Sequence, residues 1–156
     1  DETPQQAAGK SLLEKGLSVA VIEMCTGGAL TNSITDGPDS SSYFKGGSVA
    51  YDGAALKFCG VPADVMEAHG VVSQQTANAM ADTVRRNLGA DLGVAVTGVP
   101  GPGEFEGKPL GLAYISITNG EITREMEMRL PPRRVTIKRR VPNQALIELR
   151  RLVEEI

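Results

Sequence analysis

A chain of 156 residues with 41% hydrophobic residues is the size of one domain with a real core, and its formal charge of −3 gives no support to a general nucleic-acid binder. Its two cysteines, Cys25 and Cys59, form neither a disulfide framework nor a CxxC or Cys/His metal pattern, and His69 is the one possible base for a Ser-His-Asp triad. No apolar run reaches the roughly 18 residues of a membrane span and none resembles a signal-peptide core, so a soluble, cytoplasmic protein with no membrane partner is expected.

Aromatics make up only 4% of the chain, so packing must rest on Val, Ile, Leu, Ala and Met. Pro4 to Lys15 carries Ala7, Ala8, Leu12 and Leu13 at helical spacing and closes on Gly16, which predicts a first amphipathic helix. Leu17–Ile22 then reads as a buried strand. Glu23-Met-Cys-Thr-Gly-Gly28 follows as a tight turn into a second helix, Thr26 to Ile34, ended by Asp36-Gly37-Pro38. Strand, turn and helix start is the usual architecture of an anion or oxyanion site, because the first amides of a helix lack internal acceptors. The same residues also fit a plain buried strand followed by a helix capped by Thr26. Asp39-Ser40-Ser41-Ser42 can likewise hold a phosphate or simply make a turn.

Gly46 to Tyr51 reads as a second strand with a glycine-rich entry. Ala54–Cys59 and Pro62–His69 are short helices closed by Gly60 and Gly70. Ser73 opens the clearest helix, with Ala77, Met80, Ala81, Val84 and Leu88 on one face and Gly89 as its stop. Gly93–Thr97 is apolar enough for a central strand covered on both faces. The Gly/Pro-rich stretch Thr97 to Pro109 is long for a compact domain, which favours a functional loop. Leu112–Thr118 and Ile122–Leu130 form a hairpin over Asn119-Gly120, the second arm alternating like an edge strand. After Pro131-Pro132 a last helix carries Val135, Ala145, Leu146, Leu149, Leu152 and Val153, with Pro142 expected to kink or divide it. Its Arg and Lys residues, from Arg133 to Arg151, read as a solvated face or as a local anion contact.

This order predicts an α/β fold with crossover helices and parallel strands, the hairpin adding one antiparallel strand. In such sheets ligands bind beyond the carboxyl ends of the strands. The turn at Met24–Gly28, the segment after Tyr51 and the loop after Thr97 all follow strand ends. A shared pocket bordered by Thr26, Gly27, Gly28, Ser41, Ser42, Tyr51, Thr97 and Gly101 is therefore expected.

The motifs resemble one family across almost the whole length, the C-terminal domain of the competence- and damage-inducible protein CinA. Glu23-Met-Cys-Thr-Gly-Gly is similar to the family's Glu-Ser-Cys-Thr-Gly-Gly, and Pro38-Asp-Ser-Ser-Ser-Tyr-Phe-Lys-Gly-Gly47 to its Pro-Gly-Ser-Ser-x-x-Phe-x-x-Gly. Gly60-Val-Pro, His69-Gly-Val-Val-Ser73 and Ala79-Met-Ala81 match intervening segments. Thr97-Gly-Val-Pro-Gly-Pro-Gly103 with Lys108-Pro-Leu-Gly111 resembles the family's glycine loop, and Arg134-x-x-Ile-Lys138 its Arg-x-x-Ile/Val-Arg pair. The resemblance implies one domain over residues 1–156, a three-layer α/β/α sandwich with a mixed, mainly parallel five-stranded sheet. It also implies deamidation of nicotinamide mononucleotide, with no cofactor and no metal.

The departures bear on chemistry. The family's implied nucleophile, the serine after the glutamate, is Met24 here, and a thioether has no proton to lose and cannot form an acyl-enzyme. Tyr51 is retained, but the lysine of the family's Tyr-Ser-Asn-Glu-Ala-Lys falls on Ala55, two residues before Lys57, when aligned on Gly60-Val61, and one residue before Lys57 when aligned on Tyr51. By resemblance the catalytic positions are Met24, Tyr51 and Lys57. Substrate contacts fall to Cys25, Thr26, Gly27, Gly28, Ser41, Ser42, Thr97, Gly98, Gly101, Lys108 and Arg134. The expected function is a nucleotide-binding or regulatory domain whose amidase chemistry is lost or strongly impaired, acting as a homo-oligomer. The alternative is an active nicotinamide-nucleotide amidase with rearranged groups.

Overall fold

The computed structural model describes residues 2–156. Helix α1 (Pro4–Lys15) begins where the sequence supplies a reciprocal cap. Thr3 Oγ1 accepts from the Gln6 amide at 3.2 Å, and the Gln6 side chain accepts from the Thr3 amide at 2.9 Å. Five strands follow in one sheet of order β2-β1-β3-β4-β5: β1 (Val19–Glu23), β2 (Phe44–Val49), β3 (Leu92–Gly98), β4 (Leu112–Thr118) and β5 (Thr123–Arg129). β1 pairs in parallel with β2 and β3, whereas β3–β4 and β4–β5 are antiparallel, so β4 alone opposes the other four. This is the mixed, mainly parallel sheet expected.

Two helical layers cover it. α1, α2 (Ala29–Ile34) and α6 (Arg134–Glu155) pack on Val19, Val21, Val94, Val96, Ile115 and Ile117. α3 (Gly53–Phe58), α4 (Ala63–His69) and α5 (Gln74–Leu88) pack on Ala20, Ile22 and Ala95. β1 and β3 are buried at every residue because both their faces meet a helix layer. Gly93 sets how closely α5 approaches: a Cβ there would stand 2.0 Å from the Ala81 carbonyl oxygen. On the opposite layer Glu148 of α6 is buried and accepts from Arg124 of β5 at 3.3 Å and from Arg151 at 3.1 Å.

Several expected boundaries move, each for a local reason. β1 begins at Val19 and takes in Glu23. α2 starts at Ala29, not Thr26, because Cys25, Gly27 and Gly28 all adopt positive φ, which no α-helix contains. β2 lies two residues upstream of its expected position, in register with β1 from Val19 and Phe44; Asp52 caps α3 through the Ala55 amide at 2.8 Å and draws Ala50 and Tyr51 out of the strand. The turn between β4 and β5 holds four residues, because the Asn119 side-chain oxygen accepts from the Glu121 and Ile122 amides at 2.9 and 2.7 Å. Pro142 does not divide the last helix. α6 runs unbroken for 22 residues, with Ile137 and Val141 before the proline and Ala145, Leu146 and Leu149 after it seated in one core. Among the described residues no helix is long and apolar enough to cross a membrane.

The close approach at Gly93 has a measurable consequence. Gly93→Ala should lower stability in urea unfolding by about 3 kcal/mol, since the added methyl meets backbone that cannot swing aside. Gly103→Ala, which adds a methyl to open space, should stay within about 0.5 kcal/mol of the parent.

Candidate functional site

The site is built around the end of β1. Glu23 is fully buried, yet its carboxylate receives five hydrogen bonds. Oε1 accepts from Thr26 Oγ1 at 2.5 Å and from the Gly28 and Leu30 amides, each at 3.1 Å. Oε2 accepts from the Thr31 amide at 2.7 Å and Thr31 Oγ1 at 2.5 Å. The helix-start amides that a sequence reading offers to a ligand anion are therefore engaged by the protein's own carboxylate. Thr26 faces inward as part of this arrangement and does not cap α2, whose N-cap position is Gly28.

The carboxylate fixes the turn, and the turn places two sulfurs. Met24 is buried against the α3–α5 layer, its Sδ 4.0 Å from Thr97 Oγ1, which donates to the Val71 carbonyl at 3.1 Å. Cys25 sits at φ 78°, a strained left-handed conformation for a residue with a side chain. Its sulfur packs beside Gly98, where a Cβ would lie 3.1 Å from Sγ. Burial first, and the Glu23 charge second, push the Cys25 thiol up to about 12, so at neutral pH it stays protonated.

Beyond this corner lies a cavity of about 280 Å³, floored by Met24 and Cys25, walled by the loop from Gly98 to Phe105 and closed by Tyr51 and Arg134. Arg134, in the first turn of α6, donates to the Gly101 carbonyl at 2.6 Å and so ties the loop to that helix. A second tie holds the far end of the loop. Glu106 accepts from the Val71 and Val72 amides at 2.8 and 3.0 Å, and Lys108 Nζ donates to the His69 carbonyl at 3.2 Å and to the Val72 carbonyl. Burial raises the Glu106 pKa, but the Val72 and Val71 amides and Lys108 outweigh it, leaving the carboxyl below its ordinary value.

The cavity thus joins six expected site residues: Met24, Cys25, Tyr51, Gly98, Gly101 and Arg134. The others lie elsewhere. Thr97 stands one residue behind the lining, on the Val71 carbonyl. Gly27 and Gly28 border the turn on its outer side, under Lys138 and Val49 respectively. Lys108 is turned to its own chain's carbonyls. Lys57 is exposed in a shallow groove between α3 and α4 with Ala63, Met66 and Glu67. Ser41 and Ser42 do not share the edge at all. They form a 3-10 turn before β2, and the neighbouring Tyr43 carbonyl accepts from Val19 at the start of β1, which puts both serines at the amino ends of the strands. His69 meets the site only through its carbonyl on Lys108. Sequence reasoning missed Glu104 and Phe105 in the lining and Glu23 as the turn's organiser. The available signals were an aromatic residue inside a Gly/Pro loop and an acid ending an otherwise apolar strand.

A three-layer α/β/α domain with a cavity at the carboxyl ends of its parallel strands is the class of protein that this fold and site define. The comparisons give the family. The family model described as the CinA C-terminal domain matches residues 1–153. The chain is 45% identical over 147 residues to a putative competence-damage inducible protein of Desulforamulus reducens, covering 94% of this chain and 36% of that protein. It is 43% identical over 148 residues to one of Desulforudis audaxviator, again covering 94% and 36%. The competence/damage inducible protein CihA of Agrobacterium tumefaciens superposes with a TM-score of 0.87 at 29% identity, over 99% of this chain and 97% of the other. A CinA superfamily protein from Klebsiella pneumoniae superposes at 0.93 with 22% identity, over 98% and 97%, a likeness of fold. The chain belongs to the CinA C-terminal domain family. It spans about a third of the length of the curated relatives it matches.

Two outcomes follow from the site. Under native conditions at pH 8 a thiol reagent should label Cys59, which is half-buried, and leave Cys25 untouched; mass spectrometry of the labelled peptides decides this. Because the Glu106 pKa is depressed, its stabilisation is complete above the ordinary value of 4.5 and fades as the pH falls through the lower, folded value. Hydrogen-exchange protection at Val71 and Val72 should therefore drop in that acid range, and Glu106→Gln should show reduced protection already at pH 7.

Proposed function

We propose that this domain binds a small nucleotide-sized ligand of the nicotinamide mononucleotide class in the β1–β3 cavity and does not hydrolyse it at a useful rate. The observation that carries this reading is Met24. It forms the cavity floor at the position where the family resemblance implies a serine nucleophile. Attack on a carboxamide needs a group that gives up a proton and a base that takes it. Met24 offers no proton, and the neighbouring Cys25 thiol is held protonated. Lys57 lies in a different groove. Arg134, Tyr51 and the loop backbone can still bind and orient a ligand. A ligand-binding or regulatory role agrees with this arrangement.

A second reading has one observation in its favour. Cys25 occupies a strand–turn–helix corner at positive φ, the geometry in which acyl-transfer enzymes expose a nucleophile. Its burial argues against it.

Nicotinamide mononucleotide offered to purified protein, with ammonia release and binding followed together, separates the two. Binding with release at background supports the proposal. Robust release abolished by Cys25→Ala overturns it in favour of a cysteine amidase.

Repair of the site gives a further outcome. Ala55 of α3 packs on the apolar cluster that contains Met24, so a lysine there lies on the side of the helix that meets the corner. Met24→Ser alone should leave ammonia release at background, because groups that act as a unit are not restored one at a time. Met24→Ser with Ala55→Lys should give measurable release.

A further inference from the structure

The tip of the glycine loop is a rigid hairpin. The Phe105 amide donates to the Lys108 carbonyl at 3.2 Å, and the Lys108 amide donates back to the Phe105 carbonyl at 2.9 Å. The two residues between them, Glu106 and Gly107, have φ 55° and 72°, the pair of positive values that a type I′ turn requires. Glu106 has a side chain and so meets a steric cost in that conformation. Its carboxylate offsets that cost through the Val71 and Val72 amides, and Lys108 fastens the other arm.

The residue that this anchored hairpin presents to the cavity is Phe105. Phe105 is 43% exposed and stands outside the buried apolar clusters of the described residues. A phenylalanine on a loose loop would settle onto the nearest apolar surface and remove that area from water. Here the backbone is pinned and the ring stays at the cavity edge. Tyr51, 56% exposed, borders the same cavity from the segment between β2 and α3. The chain has six aromatic residues, three Tyr and three Phe, and no Trp. Two of these six, both exposed residues, therefore frame one cavity. Arg134 adds a fixed positive charge to that rim.

From this we infer that Phe105 is a ligand-binding, specificity-determining residue: with Tyr51 it stacks on the planar heteroaromatic ring of a ligand whose anionic end meets Arg134. An aromatic face accepts any flat π-system in offset stacking, so the selection made here is for a ring against no ring. The inference deepens the ligand-binding reading above and rests on it.

Titration calorimetry with three probes tests it: nicotinamide mononucleotide, adenosine monophosphate, and ribose 5-phosphate, which keeps the sugar and phosphate without an aromatic ring. In Phe105→Ala the affinity for whichever ring-bearing probe binds should fall about tenfold, with ribose 5-phosphate unchanged. Phe105→Tyr should restore most of the loss. Phe105→Trp adds the only indole of the chain, and its fluorescence should quench with a ring-bearing probe and stay constant with ribose 5-phosphate. Equal affinities in the parent and Phe105→Ala would overturn the stacking role while leaving the ligand-binding reading in place. An equal loss for all three probes, or the absence of Trp quenching at saturation, would overturn it too. If neither ring-bearing probe binds the parent protein, the stacking role and the ligand-binding reading both fall.

Discussion

A carboxylate with no access to water holds the functional edge of this domain together. Stripping water from an ionised carboxyl costs several kcal/mol unless other donors replace it. Glu23 obtains five of them from the next eight residues of its own chain, three amides and two threonine hydroxyls. To bring those donors round, the backbone must reverse between β1 and α2 within Met24–Gly28, which it does by placing Cys25, Gly27 and Gly28 at positive φ. The positions of Met24 and Cys25 in the cavity floor follow from that path. So does the loss of the α2 N-terminus as a ligand site, because its partial positive charge is already matched from within.

The opposite wall depends on a second set of internal bonds. A loop rich in glycine and proline has no ladder of its own, yet this one is fastened at both ends, by Arg134 on Gly101 and by Glu106 and Lys108 on the segment between α4 and α5. Gly70 leaves the room for that fastening, since a Cβ there would come within 2.7 Å of both Glu106 Oε1 and Lys108 Nζ. The cavity between floor and loop is thus a product of polar contacts within the chain, buried at Glu23 and partly exposed along the loop. The hydrophobic layers serve to bring β1 and β3 side by side.

Scaffold and cavity are thus built from different sets of interactions. The Klebsiella pneumoniae protein keeps the fold at 22% identity, with a TM-score of 0.93. What a fold of this kind does is decided by a few side chains grafted at the strand ends. Met24 shows the two meeting in one side chain: it packs in the apolar cluster of the α3–α5 layer and also lines the cavity.

Local patterns in the sequence determined which segments are strands and helices, and several of the helix caps. Apolar runs such as Val19–Ile22 and Leu92–Val96 can be buried only between two layers, and Thr3, Ser73 and Asp52 cap through contacts three residues away. The candidate site was legible where its residues follow parallel strands, as with Met24, Cys25, Tyr51 and Gly98. Tertiary structure alone decided the rest, because each such choice depends on partners distant in the chain. Ser41 and Ser42 looked like phosphate ligands until the pairing of β2 with β1 set them at the far edge. Lys108 looked like a ligand cation until the loop folded onto residues 69–72. Pro142 looked like a break until the core held both halves of α6 in line. Phe105 had no visible role until a clamp 34 and 35 residues away in sequence pinned its hairpin beside the cavity. A sequence displays a residue's chemistry and its near neighbours; which distant group takes up its hydrogen bonds is a property of the folded chain.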